Sequence, residues 1–305
     1  MEPDPLAFSV VIPTHNGRAS ITRAVSSVLG QPHPHLELIV VCDGDGGQTR
    51  SLLAGVSDPR LRIVEQPKAG VSAARNLGVS VATHDWITFL DDDDSPRPHW
   101  LGAWAGAIGD DTLVVTARLA FWEGDRLLAT RDCRLSLTDP TMDASSILPG
   151  GFAIRRDLFG AVGGFDESLT YSENQDLGLR LLDHLSAVGD QAVVSIPDVL
   201  VDFHREAASS RVKRYRSAPA DSARIFLSRY EHRLARDPGT TASLLRIISR
   251  SQRREHQARA AISSSARACR TQPLFWANYR SLALAVLSAS ARSLTGVVRR
   301  RGRST

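Results

Sequence analysis

Three short runs, residues 8–13 (FSVVIP), 36–41 (LELIVV) and 86–90 (WITFL), are apolar at nearly every position and rich in β-branched side chains. A strand with one wet face alternates, so near-continuity is the pattern of strands buried on both sides of a parallel sheet. The segments between them have helical spacing. Over 19–29, Ile21, Ala24, Val25 and Val28 share one face, and a second helix over 71–81 carries Arg75 and Asn76. A further short strand is expected over 60–65, before the turn PKAG. Strand and helix in alternation is the sequence form of an open α/β sheet, in which ligands sit beyond the carboxyl ends of the strands.

Each of the three runs has polar groups at that end. The first leads to Thr14 and the loop THNG, and the second to CDGDGG, with Asp43 as the first carboxylate past the strand. The third runs straight into Asp91, Asp92, Asp93 and Asp94. Four adjacent like charges at the end of a core strand repel one another unless a cation offsets them, and hard carboxylate oxygens suit Mg²⁺ or Mn²⁺. Plainer readings exist for each feature. The tetrad can be a solvated acidic turn before a helix capped by Ser95, with Pro96 in its first turn, and Asp43 can form an Asx turn. Convergence of three strand ends favours a shared site. Phosphate loops of the familiar kinds are missing, since THNGRAS stands where GxGxxG would and no GxxxxGK[ST] occurs.

Past the tetrad, 112–122 and 126–134 read as strands paired across EGD, and the glycines of LPGG (148–151) let a backbone pass close to a substrate. A helix over 173–184 (ENQDLGLRLLDH) opens with Glu173, Asn174 and Asp176, which can serve the helix dipole alone. Strands over 192–196 and 199–203 then lead to His204, a position more often structural than ligating.

The chain has 305 residues, 42% of them hydrophobic, enough for one large α/β domain with an appendage. Residues 1–8 are acidic and proline-rich where a secretory signal would be basic and then apolar, so a cytoplasmic protein is expected. Three scattered cysteines with no CxxC spacing imply neither disulfides nor structural zinc. Charge divides the chain: residues 1–205 hold 16 Lys+Arg against 28 Asp+Glu, net −12, and residues 206–305 hold 21 against 5, net +16. The boundary expected on that basis puts one domain at 1–205 and a basic, mainly helical extension at 206–305, with helices around 221–235, 243–261 and 274–298. That extension either packs on the domain or makes a peripheral contact with an anionic membrane.

Seven ordered segments, SVVIPTHN, LELIVVCDGD, GVSAARNLGV, WITFLDDDDSPRPHWL, GGFDESL, ENQDLGLRL and DFHREAASS, resemble glycosyltransferase family 2 over residues 8–210. The resemblance implies the GT-A fold, Rossmann-like with a mostly parallel central sheet flanked by helices, here with a C-terminal helical extension. It implies an inverting transfer from a nucleoside-diphosphate sugar, with Mn²⁺ or Mg²⁺, to a saccharide, lipid-linked or small-molecule acceptor, and no nucleic acid. Carried over residue by residue, Pro13, Thr14 and Asn16 with the neighbouring backbone contact the nucleotide, and Asp43 accepts from its base. Arg75 sits by the diphosphate or the base, Asp91 faces the ribose, Asp92 fills a variable slot, and Asp93 and His204 lie at the metal. The chain departs from the pattern where the family's base aspartate is replaced by Asn174, an amide that cannot take a proton. Glu173 or Asp176 is then left to serve as base, and the alternative is a catalytically silent nucleotide-sugar-binding protein. A nucleotidyltransferase is a third reading, disfavoured by the missing lysine-bearing phosphate loop.

Overall fold

A computed structural model describes residues 6–15, 19–204 and 218–301. The N-terminal two-thirds reads, in order, β1 (Phe8–Thr14), α1 (Ser20–Leu29), β2 (Leu36–Asp43), α2 (Gln48–Leu52), β3 (Leu61–Gln66), α3 (Val71–Ser80), β4 (Trp86–Phe89), β5 (Ser95–Pro96), α4 (Trp100–Ala107), β6 (Val114–Glu123), β7 (Arg126–Asp132), β8 (Arg134–Leu135), β9 (Ser145–Ser146), β10 (Phe152–Arg155), α5 (Arg156–Ala161), α6 (Glu173–Leu185) and β11 (Val193–His204). The central sheet has the order β3-β2-β1-β4-β10-β6-β11-β5, with β7 on β6. Its first four strands are parallel, β10 runs antiparallel between β4 and β6, and β11 is parallel to β6. This is the mixed α/β architecture of the GT-A class expected from the sequence.

Strands β1, β2 and β4 are buried at every position, as their composition requires, whereas β3, β7 and β11 are partly exposed. Ser9 donates to Glu37 (2.6 Å), which also accepts from the Thr83 backbone and hydroxyl, and Thr88 donates to the Phe152 carbonyl (2.8 Å). Those donors, with Arg62, outweigh the burial that opposes ionisation, and they hold the Glu37 carboxyl down to about 2. Helix α3 lies against β1 through Gly78, where a Cβ would come 2.3 Å from Val11 Cγ1. Phe89 meets Phe152, Phe159 and Phe165 with ring centroids 5.1–5.7 Å apart, and Trp100 packs on Trp104 at 4.8 Å.

Three local expectations are corrected. Ser95 and Pro96 cap no helix: they pair with Asp202 and Val201 as an edge strand, where proline's missing N–H costs nothing. Helix α4 begins only at Trp100, behind His99 in the left-handed region (φ 70°). The two strands expected over 192–203 are one, β11, interrupted by register shifts between Ser195 and Val201, where Pro197 can donate no ladder hydrogen bond. The LPGG glycines serve protein packing: a Cβ at Gly151 would lie 2.2 Å from Cys133 Sγ, and Gly150 (φ +82°) carries the carbonyl that accepts from the Trp100 indole.

Chain contacts divide the molecule into two compact units, Met1–Asp139 with Asp143–Ser210, and Pro140–Met142 with Arg211–Thr305. The second contains α7 (Ala218–Arg229), α8 (Glu231–Leu234), α9 (Pro238–Arg254), α10 (Ala258–Thr271) and α11 (Trp276–Arg301). The single helix expected over 243–261 is two, broken at His256, whose φ of 65° turns the chain back. Helices α9, α10 and α11 pack on small residues: the buried hydroxyls of Ser249, Ser265 and Ser281 form a hydrogen-bonded row beside Ala242, Leu245 and Ala268. None of the described helices is long and apolar enough to cross a membrane.

Candidate active site

The parallel register of β1, β2 and β4 brings Thr14, Asp43 and the Asp91–Asp94 turn to the same end of the sheet. Thr14 donates its hydroxyl to Asp92 (2.7 Å), both side chains being buried, so Asp92 braces the first strand end. Pro13 is buried in the same strand, and Asn16 lies outside the described residues. Asp43 accepts from the Ala69 and Gly70 backbone (2.7 and 3.0 Å) and from Gln66 (2.8 Å). Two of these donors meet Oδ1 and one meets Oδ2.

Two residues with no sequence motif join this rim. Lys68 reaches His15 Nε2 at 3.0 Å, and since an ammonium only donates, His15 carries its proton on Nδ1 and gives it to the Asp43 carbonyl (2.6 Å). Arg23, from α1, donates to the Asp93 carbonyl.

Asp91, Asp93 and Asp94 each present a carboxylate oxygen within 4.8 Å of the others. Asp93 and Asp94 are 4% and 0% exposed. Carboxylates so close and so enclosed repel strongly unless a cation or proton intervenes, and an all-oxygen donor set of this kind fits Mg²⁺ or Mn²⁺. Asp94 joins the group although its place in a run of four aspartates does not distinguish it. It accepts from the backbone N–H of His204 (2.8 Å), which ties the end of β11 to the acidic turn. Burial first, and then the Arg23 charge, hold the His204 imidazole below its ordinary range against the opposing pull of Asp202 and Asp93. His204 is thereby biased toward the neutral form, but its ring nitrogens are not among the ligand atoms that gather within 4.8 Å, which come from Asp91, Asp93 and Asp94 alone among the described residues.

Arg75 lies behind this turn, 2% exposed, donating to Asp91 (2.7 Å) and Glu173 (3.2 Å), with its guanidinium carbon 5.1 Å from the Phe165 ring centre. Phe165 is in turn fixed by Asn76, whose side-chain amide exchanges two 2.9 Å hydrogen bonds with its backbone. Arg75 therefore links the strand-end carboxylates to the start of α6. There Glu173 accepts at Oε1 from both Arg75 and the Asn174 amide (3.2 Å each), leaving Oε2 without a donor among the described residues. Asn174 Oδ1 is buried with no partner among them. Asp176 is separate from this group. It is fully buried and ion-paired to Arg180 (2.8 Å), which also donates to the Val162 carbonyl.

Comparison with known proteins bears on the family and the fold. Residues 9–161 match the family described as Glycosyl transferase family 2. The chain is 30% identical over 236 residues to the succinoglycan biosynthesis protein ExoO of Rhizobium meliloti, covering 72% of this chain and 68% of that one. It is also 30% identical over 187 residues to the pre-mycofactocin glycosyltransferase of Mycobacterium tuberculosis, covering 57% of this chain and only 39% of that relative. Among solved structures, S. aureus TarS 1-349 in complex with UDP-GlcNAc superposes with a TM-score of 0.60 at 17% identity, over 87% of this chain and 81% of that one. At that identity the likeness is one of fold.

Proposed function

The chain belongs to glycosyl transferase family 2, and from that premise we propose that it moves a sugar from a nucleoside-diphosphate donor to an acceptor hydroxyl with inversion at the anomeric carbon. The observation that carries the proposal is the joining, through Arg75, of an enclosed carboxylate cluster to a carboxylate with a free oxygen at the start of α6. Asp93 and Asp94, with Asp91 and His204 beside them, would hold Mn²⁺ or Mg²⁺. When bound, the cation stabilises negative charge on the departing diphosphate. Pro13, Thr14, Asn16 and Asp43 are assigned to the nucleotide, and Asp92 to bracing Thr14. Arg23 and Lys68 supply positive charge at the rim.

In the transfer, the acceptor oxygen bonds to the anomeric carbon as the bond from that carbon to the diphosphate oxygen breaks, and the nucleoside diphosphate leaves with the electron pair. The acceptor proton goes to Glu173 Oε2. Asp176 is reassigned from candidate base to holding Arg180, because its carboxylate is enclosed and already paired. The donor site belongs to residues 1–205, and the basic extension from 206 onward serves as a peripheral membrane contact suited to a lipid-linked acceptor. A second reading, a binder without turnover, is favoured by Asn174 and by the hold of Arg75 on Glu173.

Calorimetry with UDP tests the donor site, since TarS was crystallised with UDP-GlcNAc. The proposal expects Mn²⁺-dependent binding that Asp93→Ala weakens at least about tenfold, a loss of roughly 1.4 kcal/mol. Unchanged affinity and unchanged Mn²⁺ dependence in Asp93→Ala would remove the metal assignment.

A further inference from the structure

Within the C-terminal unit, Arg250, Arg253 and Arg254 of α9 line a cleft of about 440 Å³ with Leu284 and Ser288 of α11. Arg253 Nη1 is buried there with no partner among the described residues. One turn earlier, Arg246 bonds the Asn278 side chain and lies 5.0 Å over the Phe275 ring. None of these arginines has an acidic partner among the described residues. Burial, and then neighbouring arginine charge, push Arg246 and Arg253 below the ordinary guanidinium range, Arg250 acting on both and Arg254 also on Arg253. Crowded cations of this kind are relieved by an anion.

The wall of that cleft continues into an exposed apolar face. Trp276, Arg280, Leu284 and Leu287 are spaced by four, four and three residues, which sets them in one stripe along α11. Trp276 and Leu287 are each 65% exposed, and Leu274, just before the helix, is 99% exposed. Tyr279 is half-exposed beside them, and Arg280 lies 5.8 Å over the Trp276 ring. Large apolar side chains are favoured out of water, so a cluster left open in this way marks a contact surface.

We propose that this face of α9 and α11 docks on an anionic phospholipid membrane, with lipid phosphates in the arginine cleft and Trp276, Leu284 and Leu287 in the acyl boundary. The chemistry selects that occupant. No Asp or Glu occurs from His256 to the end of the chain, so a second copy meeting it through the same face would set arginine against arginine. Tryptophan, tyrosine and long cationic side chains beside aliphatic ones are the composition of a helix lying in a bilayer interface. Each arginine near such a surface strengthens the attraction, and that share is lost to salt. The inference deepens the membrane reading given above by moving the contact from net charge to a defined face. It stands or falls separately from the donor site.

The test is flotation of the full chain with phosphatidylcholine vesicles, with and without phosphatidylglycerol, alongside UDP binding on the same samples. The parent should float only with the anionic vesicles. Trp276→Ser/Leu287→Ser and Arg250→Gln/Arg253→Gln/Arg254→Gln should each lower that partition at least about tenfold. Leu274→Ser, at a fully exposed site outside any helix, should weaken it without a change in melting. UDP binding should match the parent in all three variants. A parent that stays with the pellet, or variants that float as well as the parent, overturns the proposal. So does a parent that is dimeric and becomes monomeric in Trp276→Ser/Leu287→Ser while flotation is unchanged, which would make the face an interface between copies. Loss of UDP binding in the parent, with flotation intact, would instead count against the donor-site reading alone.

Discussion

Glu173→Gln is expected to lower kcat by about 10²–10⁴-fold, the range for removal of a general base, while affinity for the nucleotide holds. Glutamine keeps the length of the side chain and an oxygen for Arg75 and Asn174, so the start of α6 keeps its anchors. What it loses is the second oxygen's capacity to take a proton. Asp176→Asn should behave differently: its carboxylate is fully buried against Arg180, so the variant should melt lower and lose turnover only in proportion to unfolding. Initial rates and melting curves on both variants separate the two. Normal turnover in Glu173→Gln with a dead but folded Asp176→Asn would transfer the role to Asp176. Activity appearing only in Asn174→Asp would identify the natural chain as a binder.

Arg75→Met should be the most destabilising single change at the site. Methionine fills much of the volume but leaves Asp91 and Glu173 facing each other without their shared cation. Breaking a buried pair by removing one partner costs about 3–5 kcal/mol. For a unit of this size that is roughly 6–20 °C in Tm. Arg75→Lys should recover only part of it, because one ammonium cannot reproduce a planar fork bonding Asp91 and Glu173 while lying over Phe165. Adding Glu173→Gln to Arg75→Met should restore some stability by removing an uncompensated charge. A Tm within about 2 °C of the parent for Arg75→Met would show that the triad is not a structural link, since a kcal/mol is worth about that much.

The strands of the sheet were legible because burial on both faces writes itself into composition: β1, β2 and β4 begin at the residues their apolar runs begin at and end within two residues of them. Their ends were legible as a site because parallel strands put their carboxyl ends together. Features set by distant partners were not. Ser95 and Pro96 have the residue types of a helix start, and only Val201 and Asp202, a hundred residues on, make them an edge strand. The break at His256 uses a left-handed residue that is neither glycine nor asparagine, so no local signal announces it. Arg23 and Lys68 lie on a helix and in a loop whose spacing says nothing of a ligand, and they reach the rim only through the fold. Asp94 is one of four identical letters, and its part in the cluster is fixed by the backbone of His204. Glu173 stands out in the sequence by its place in the first turn of α6, and its tie to Arg75 across 98 residues depends on how α3 and α6 meet the acidic turn.

The central claim is that this site carries out an inverting sugar transfer. The most direct measurement is proton NMR of the product when the full chain, with Mn²⁺ and an acceptor mixture, is given a panel of α-linked nucleotide sugars. The account predicts nucleoside diphosphate release from at least one donor and a product whose anomeric coupling shows the β linkage, with both lost in Glu173→Gln. Retained α configuration, pyrophosphate in place of nucleoside diphosphate, or tight donor binding with no turnover across the panel would contradict it.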